Sequence, residues 1–123
     1  MSGLFAERIA AVRQRFVAKL DARIDEIEST IPQLGREGGL DALALAHRHA
    51  HNLYGVGAFL GYVGTGEMAR SIEQVLLAAV KAKRMLTNDE IARLRDGIVV
   101  LRFTAATEMR PASEELACTN CRS

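Results

Sequence analysis

The sequence has no tryptophan, and aromatic residues make up only 5% of it, too few for a core built on stacked rings. Its two prolines, Pro32 and Pro111, leave nearly all of the chain between them free of the residue that breaks helices most strongly. The two cysteines, Cys118 and Cys121, both fall near the C-terminus and cannot cross-link a core that lies earlier in the chain, so folding is not expected to rest on a disulfide. Charge of one sign is also missing. Sixteen Lys and Arg stand against fifteen Asp and Glu, a formal net charge of +1, which excludes a broad nucleic-acid-binding face and an acidic solubilising shell alike. No apolar run approaches the ~20 residues that a bilayer span needs, and the N-terminus lacks the unbroken hydrophobic stretch of a signal peptide. The expected location is therefore the cytoplasm, with neither membrane nor nucleic acid as a partner.

What the chain does have is an ordinary globular balance: 49% hydrophobic and 25% charged residues over 123 positions, enough for one domain with its own core. Leu, Ala, Ile and Val supply the apolar mass, a mixture that favours packed helices over sheets. Phe5, Ile9, Val12, Phe16, Leu20, Ile24, Ile27 and Ile31 recur at steps of three and four, one stripe along a long first helix. Pro32 is expected to close that helix, and the glycine-rich stretch from Pro32 to Gly39 to turn the chain. A second helix starts near Leu40 and carries Leu43, Ala46, Ala50, Leu53, Gly57 and Leu60 inward. Gly61, Gly64 and Gly66 read as a short flexible connection.

A third helix follows with Met68, Ile72, Val75, Leu76 and Ala79 on one face, ending near Arg84. Thr87 and Glu90 have capping-box spacing at the head of a fourth, flanked by Leu86 and Ile91 as a hydrophobic staple. Ile91, Leu94, Ile98, Leu101 and Ala105 then repeat as a bundle seam. No period-two alternation competes. The expected fold is all-α, an antiparallel up-down-up-down four-helix bundle with a long N-terminal helix, over residues 1 to 109. Residues 110 to 123 read as a mobile polar tail.

All three histidines lie inside the second helix, at positions 47, 49 and 51. At ~100° per residue, His51 falls roughly 130° from the centre of the apolar stripe, so its imidazole is expected to reach solvent, with Arg48 and Gly55 on the same outward side. Gly55 lies one turn further on, where a helix-interior glycine costs ~1 kcal/mol relative to alanine. A bare backbone beside an exposed imidazole offsets that loss if it leaves room for another protein's loop.

Ala50-His51-Asn52-Leu53-Tyr54-Gly55, followed by Leu60-Gly61 and then Ile72-Glu73, resembles the signature of the histidine-containing phosphotransfer domain family, in which Ala-His-x-Leu-Lys-Gly is followed by Leu-Gly at the helix end and by an apolar residue and Glu in the next helix. The register holds without gaps, and the likeness extends over the bundle from about Phe16 to Thr107. Two positions depart from the pattern: Tyr54 stands where the family has Lys, and Thr65 where it has a large apolar residue.

The resemblance implies a phosphorelay intermediate. His51 is the implied phosphoacceptor, attacking the acyl phosphate of a receiver-domain aspartate and handing the group to another receiver, with response-regulator receivers and hybrid sensor kinases as partners. His47, Arg48, Asn52, Tyr54 and Gly55 are the candidate phosphate-proximal or docking residues, with Arg48, three residues before His51 on a neighbouring helix face, as the candidate substitute for the missing lysine charge. In-line phosphoryl transfer is mainly positioning and charge neutralisation. No cofactor of the chain's own is expected, because a receiver domain brings Mg²⁺ to the encounter. Nor does the sequence hold a glycine-rich phosphate loop with a following lysine, so ATP-dependent kinase activity is not expected. The 123 residues leave no room for a receiver beside the bundle, so donor and acceptor are expected to be separate proteins.

Other readings are weaker. His47 and His51 share a helix face, but no carboxylate or cysteine stands at ligand spacing on it, so no metal site is expected. Cys118 and Cys121 have redox-motif spacing in a polar tail without the context of a redox fold. Arg8, Arg13, Arg15, Lys19 and Arg23 read as a solvated face of the first helix, on which acidic residues are interspersed, and not as a nucleic-acid patch. An adaptor that binds a receiver or a kinase without being phosphorylated itself remains the alternative function. A monomer or weak dimer is the expected assembly.

Overall fold

The computed structural model describes residues 2 to 109, which form four helices and no strand: α1 (Ser2–Leu34), α2 (Leu40–Phe59), α3 (Val63–Ala82) and α4 (Asn88–Glu108). The expected tail, with Cys118 and Cys121, lies outside the described residues. Short connections turn the chain back each time, and α1 meets α2 and α4 while α3 meets α2 and α4, so the bundle closes as a ring with no diagonal contact. Its core is the seam anticipated from the three-four spacing, with Leu34, beyond the expected end of α1, added to it. Ile24, Ile27 and Leu34 of α1, Leu53 of α2, Leu76 of α3 and Leu94 of α4 are all buried to within 1%.

Three local expectations are corrected. Pro32 does not end α1, which runs on to Leu34. In the last turn of a helix the proline ring deletes one hydrogen bond and little remains downstream to disrupt. The reversal is made instead by Gly38, at φ 86°, and Gly39, where a Cβ would collide with the Gln33 carbonyl. Gly64 and Gly66 are not linker residues but belong to the first turn of α3, and only Leu60 to Tyr62 connect the helices, with Gly61 at φ 89°. Finally, Phe5 does not join the buried stripe: it is 67% exposed, because α2 and α4 end at Phe59 and Glu108 and, among the described residues, none covers the start of α1.

Both ends of the bundle are locked by polar contacts. At one end the Leu86 N–H donates to the Leu34 carbonyl at 2.9 Å, and Thr87 and Glu90 form the anticipated capping box, which Arg84 extends with a 2.7 Å ion pair to Glu90. At the other, Arg13 Nε donates to the Leu60 carbonyl at 3.1 Å and the Phe16 ring stacks on Tyr62. Arg13 therefore satisfies an orphan carbonyl of α2 and is not merely part of a solvated face. The N-terminus of α3, whose cap residue Tyr62 offers no side-chain bond, is satisfied from α4: Glu108 accepts from the Gly64 N–H, the Thr65 N–H and the Thr65 hydroxyl at 2.6 to 2.8 Å. Burial raises the Glu108 pKa, but the bonds from Thr65 and Gly64 outweigh it and hold the carboxyl below its usual value.

Candidate functional site

Helices α2 and α3 make the most extensive pairing in the bundle, and the reason lies in two glycines. A Cβ added at Gly57 would lie 3.6 Å from the Gly66 Cα, and one at Gly66 would lie 3.3 Å from the Ala58 nitrogen, so the two backbones approach as closely as glycine permits. From that contact the helices run antiparallel, and the facing pairs recur at steps of three and four residues. Tyr54 faces Arg70, whose guanidinium carbon lies 5.7 Å from the ring centroid, and one step further His51 faces Glu73.

His51 Nδ1 lies 2.6 Å from a carboxylate oxygen of Glu73. The His51 side chain is 63% exposed and that of Glu73 13% exposed, so the carboxylate supports the ring from the protein side while the ring itself stands in solvent. A carboxylate only accepts, so Nδ1 is the donor and Nε2 carries the lone pair of the neutral imidazole. Nε2 has no hydrogen-bond partner among the described residues.

The three histidines diverge. His49 turns to α1, with Nε2 3.2 Å from Glu26, at the edge of a polar recess that Arg23 and Asn52 complete. His47 lies parallel to His51, their ring centroids 6.2 Å apart and planes at 17°. Stacked rings of this kind do not aim their nitrogens at a common point, and no group of three or more potential metal-binding side chains occurs among the described residues.

The residues anticipated for the site surround His51 on α2 without sharing one face. Arg48 is exposed, Asn52 is exposed but borders the His49 recess on the α1 side, Tyr54 is half-buried under Arg70, and a Cβ at Gly55 would meet nothing within 4 Å. Gly55 therefore has no packing reason to be glycine, in contrast to Gly57 and Gly66. Two further site residues emerge from the structure. Glu73 was legible only as part of a motif, and Arg70 gave no signal beyond its place three residues before Glu73, one turn along the same face.

A family model described as Hpt domain matches residues 11–103, well over half of the chain, and the chain belongs to the histidine-containing phosphotransfer domain family. Membership carries a histidine phosphotransfer role in two-component signalling, and domains of this family interact with receiver domains and kinases. Searches of curated proteins and of solved structures returned no match. No helix among the described residues is long and apolar enough to cross a membrane.

Proposed function

We propose that His51 is the phosphoacceptor of a relay, taking a phosphoryl group from the aspartate of one receiver domain and passing it to another. The observation that carries this reading is the pairing of an exposed imidazole with a largely buried carboxylate at Nδ1. The Nε2 lone pair attacks phosphorus in line. The N–P bond forms as the P–O bond of the acyl phosphate breaks, and the receiver's carboxylate leaves with the electron pair. The ring then carries the positive charge and its Nδ1–H still faces Glu73, which stabilises that charge as it develops. Onward transfer runs the same step in reverse, with the imidazole as leaving group.

His47, Arg48, Asn52 and Gly55 form the rim on which a receiver docks. The open space over Gly55 admits its loop, and its bound Mg²⁺ neutralises charge from the receiver's side of the interface. The donor is a phosphorylated receiver and not ATP.

The test is to incubate the protein with a receiver domain phosphorylated on its aspartate and to follow the label. Acid-labile, base-stable label on the wild type, absent from His51→Gln, is the expected result. Stable binding with no transfer would replace the relay by a non-phosphorylated adaptor.

A further inference from the structure

A phosphoryl group on His51 brings close to two negative charges onto a surface whose nearest carboxylate, Glu73, is already committed to the ring. That charge needs a cation. From His47 to Phe59, α2 offers only Arg48, and the part of α3 that faces it offers Arg70.

The two are not held alike. Neither makes an ion pair or a side-chain hydrogen bond among the described residues, but the Arg70 guanidinium rests on the face of Tyr54, 5.7 Å from its centroid, while nothing holds Arg48. Tyr54 lies three residues beyond His51 on α2, and Arg70 three before Glu73 on α3. The Tyr54–Arg70 step is thus displaced from the His51–Glu73 step by about 5 Å along the bundle axis. That spacing is inside the ~8 Å over which salt screens charge. An aromatic face attracts a guanidinium without using its N–H donors, which stay free for phosphate oxygens.

We infer that Arg70, stationed on Tyr54, binds the phosphoryl group transferred to His51, with Tyr54 acting as a positioning residue through it. The inference rests on the phosphoacceptor reading above. Glu73 holds the nucleophile from one side while Arg70 closes on the phosphoryl oxygens from the next turn of the same helix, so α3 supplies both supports of the reacting centre. The ring of Tyr54 limits the side-chain entropy that an exposed arginine would otherwise lose on binding phosphate.

Phosphoramidate, a small-molecule phosphodonor that needs no docking surface, isolates the effect. The rate at which it labels His51 is measured for wild type, Arg70→Ala, Arg70→Lys, Tyr54→Leu and Arg48→Ala, each checked by thermal unfolding. Arg70→Ala is expected to slow labelling about tenfold, the equivalent of one charge-assisted hydrogen bond, and to flatten its dependence on salt. Arg70→Lys is expected to recover part of the rate. Tyr54→Leu is expected to cost several-fold in the wild type and little more in the Arg70→Ala background, a non-additivity that a purely structural role would not produce.

An Arg70→Ala rate within about twofold of wild type and an unchanged salt profile, or a loss carried by Arg48→Ala alone, would overturn the assignment. A wild type labelled by neither phosphoramidate nor a phosphorylated receiver would remove the phosphoacceptor reading and this assignment together. A wild type that is labelled while Arg70→Ala matches it removes the assignment only.

Discussion

Nδ1 of His51 and the carboxylate of Glu73 meet at 2.6 Å across the seam between α2 and α3, so the tautomer of a solvent-facing ring is set by a residue on another helix. Free imidazole divides its proton between two nitrogens, and this contact keeps it on one. Glu73→Ala is expected to let both tautomers populate and to slow phosphorylation of His51 by about tenfold or more, in the range of a lost general acid–base or orienting contact. Glu73→Gln, which keeps an acceptor oxygen but not the charge, should fall between. Nitrogen-15 shifts of the His51 ring report the tautomer directly. Unchanged shifts and rate in Glu73→Ala would show that the carboxylate does not orient the ring.

The glycines of α2 and α3 separate docking from packing. Around Gly55 a methyl group meets open space, so Gly55→Ala is expected to raise stability by about 0.5–1 kcal/mol through helix propensity alone. Gly55→Gln should fold equally well and accept phosphoryl from phosphoramidate at the wild-type rate, yet lose transfer from a receiver that must close over this turn. At Gly66 the added methyl meets backbone at 3.3 Å, which cannot rotate away, and Gly66→Ala is expected to destabilise by about 1–3 kcal/mol. Denaturant midpoints for the two alanine variants should move in opposite directions.

The parts of this architecture that were legible in the sequence are local ones. The capping box of Thr87 and Glu90 spans three residues, and the outward phase of His51 follows from the apolar positions of its own helix. What could not be read depends on how helices meet. Glu73 is visible as an acid on α3, but its aim at His51 is set by the rotation of two helices about their axes. Gly66 looks like a linker glycine because propensity is a local quantity, whereas its use is a close approach to Ala58. Phe5 continues a stripe whose phase is correct, but periodicity does not report where neighbouring helices end. The Glu108–Thr65 contact joins residues 43 apart and leaves no pattern at all.

That last contact bears on the stability of the site. Glu108 takes the place of the N-cap that α3 lacks, and Thr65 is fully buried with its hydroxyl satisfied by this one carboxylate. Glu108→Ala strips the acceptor from two backbone donors and one buried hydroxyl, and is expected to cost about 2–3 kcal/mol. Thr65→Val in the Glu108→Ala background should recover part of that loss, since it removes the orphaned hydroxyl at nearly constant volume. Urea unfolding of the two single variants and the double variant measures the coupling. Strictly additive losses would mean that Glu108 acts on the helix terminus alone.

At the opposite end, Glu90 makes stability depend on acid. Its hydrogen-bonded ion pair with Arg84, and then the Thr87 N–H, bring its pKa from 4.5 down to about 2, against the opposing effect of burial. Between those values the folded chain holds its carboxylate while the unfolded chain takes up a proton. Added acid therefore favours unfolding: the contribution of Glu90 is complete above the unfolded value and is lost as pH falls through the folded one. The melting temperature of the wild type should exceed that of Glu90→Gln most clearly at neutral pH, and the gap should narrow progressively between pH 4.5 and about 2. Arg84→Met removes the larger of the two causes, so its acid transition should move toward higher pH while the Thr87 cap persists. If the gap between wild type and Glu90→Gln stayed constant across this range, the capping box would be acting through its geometry and not through its charge.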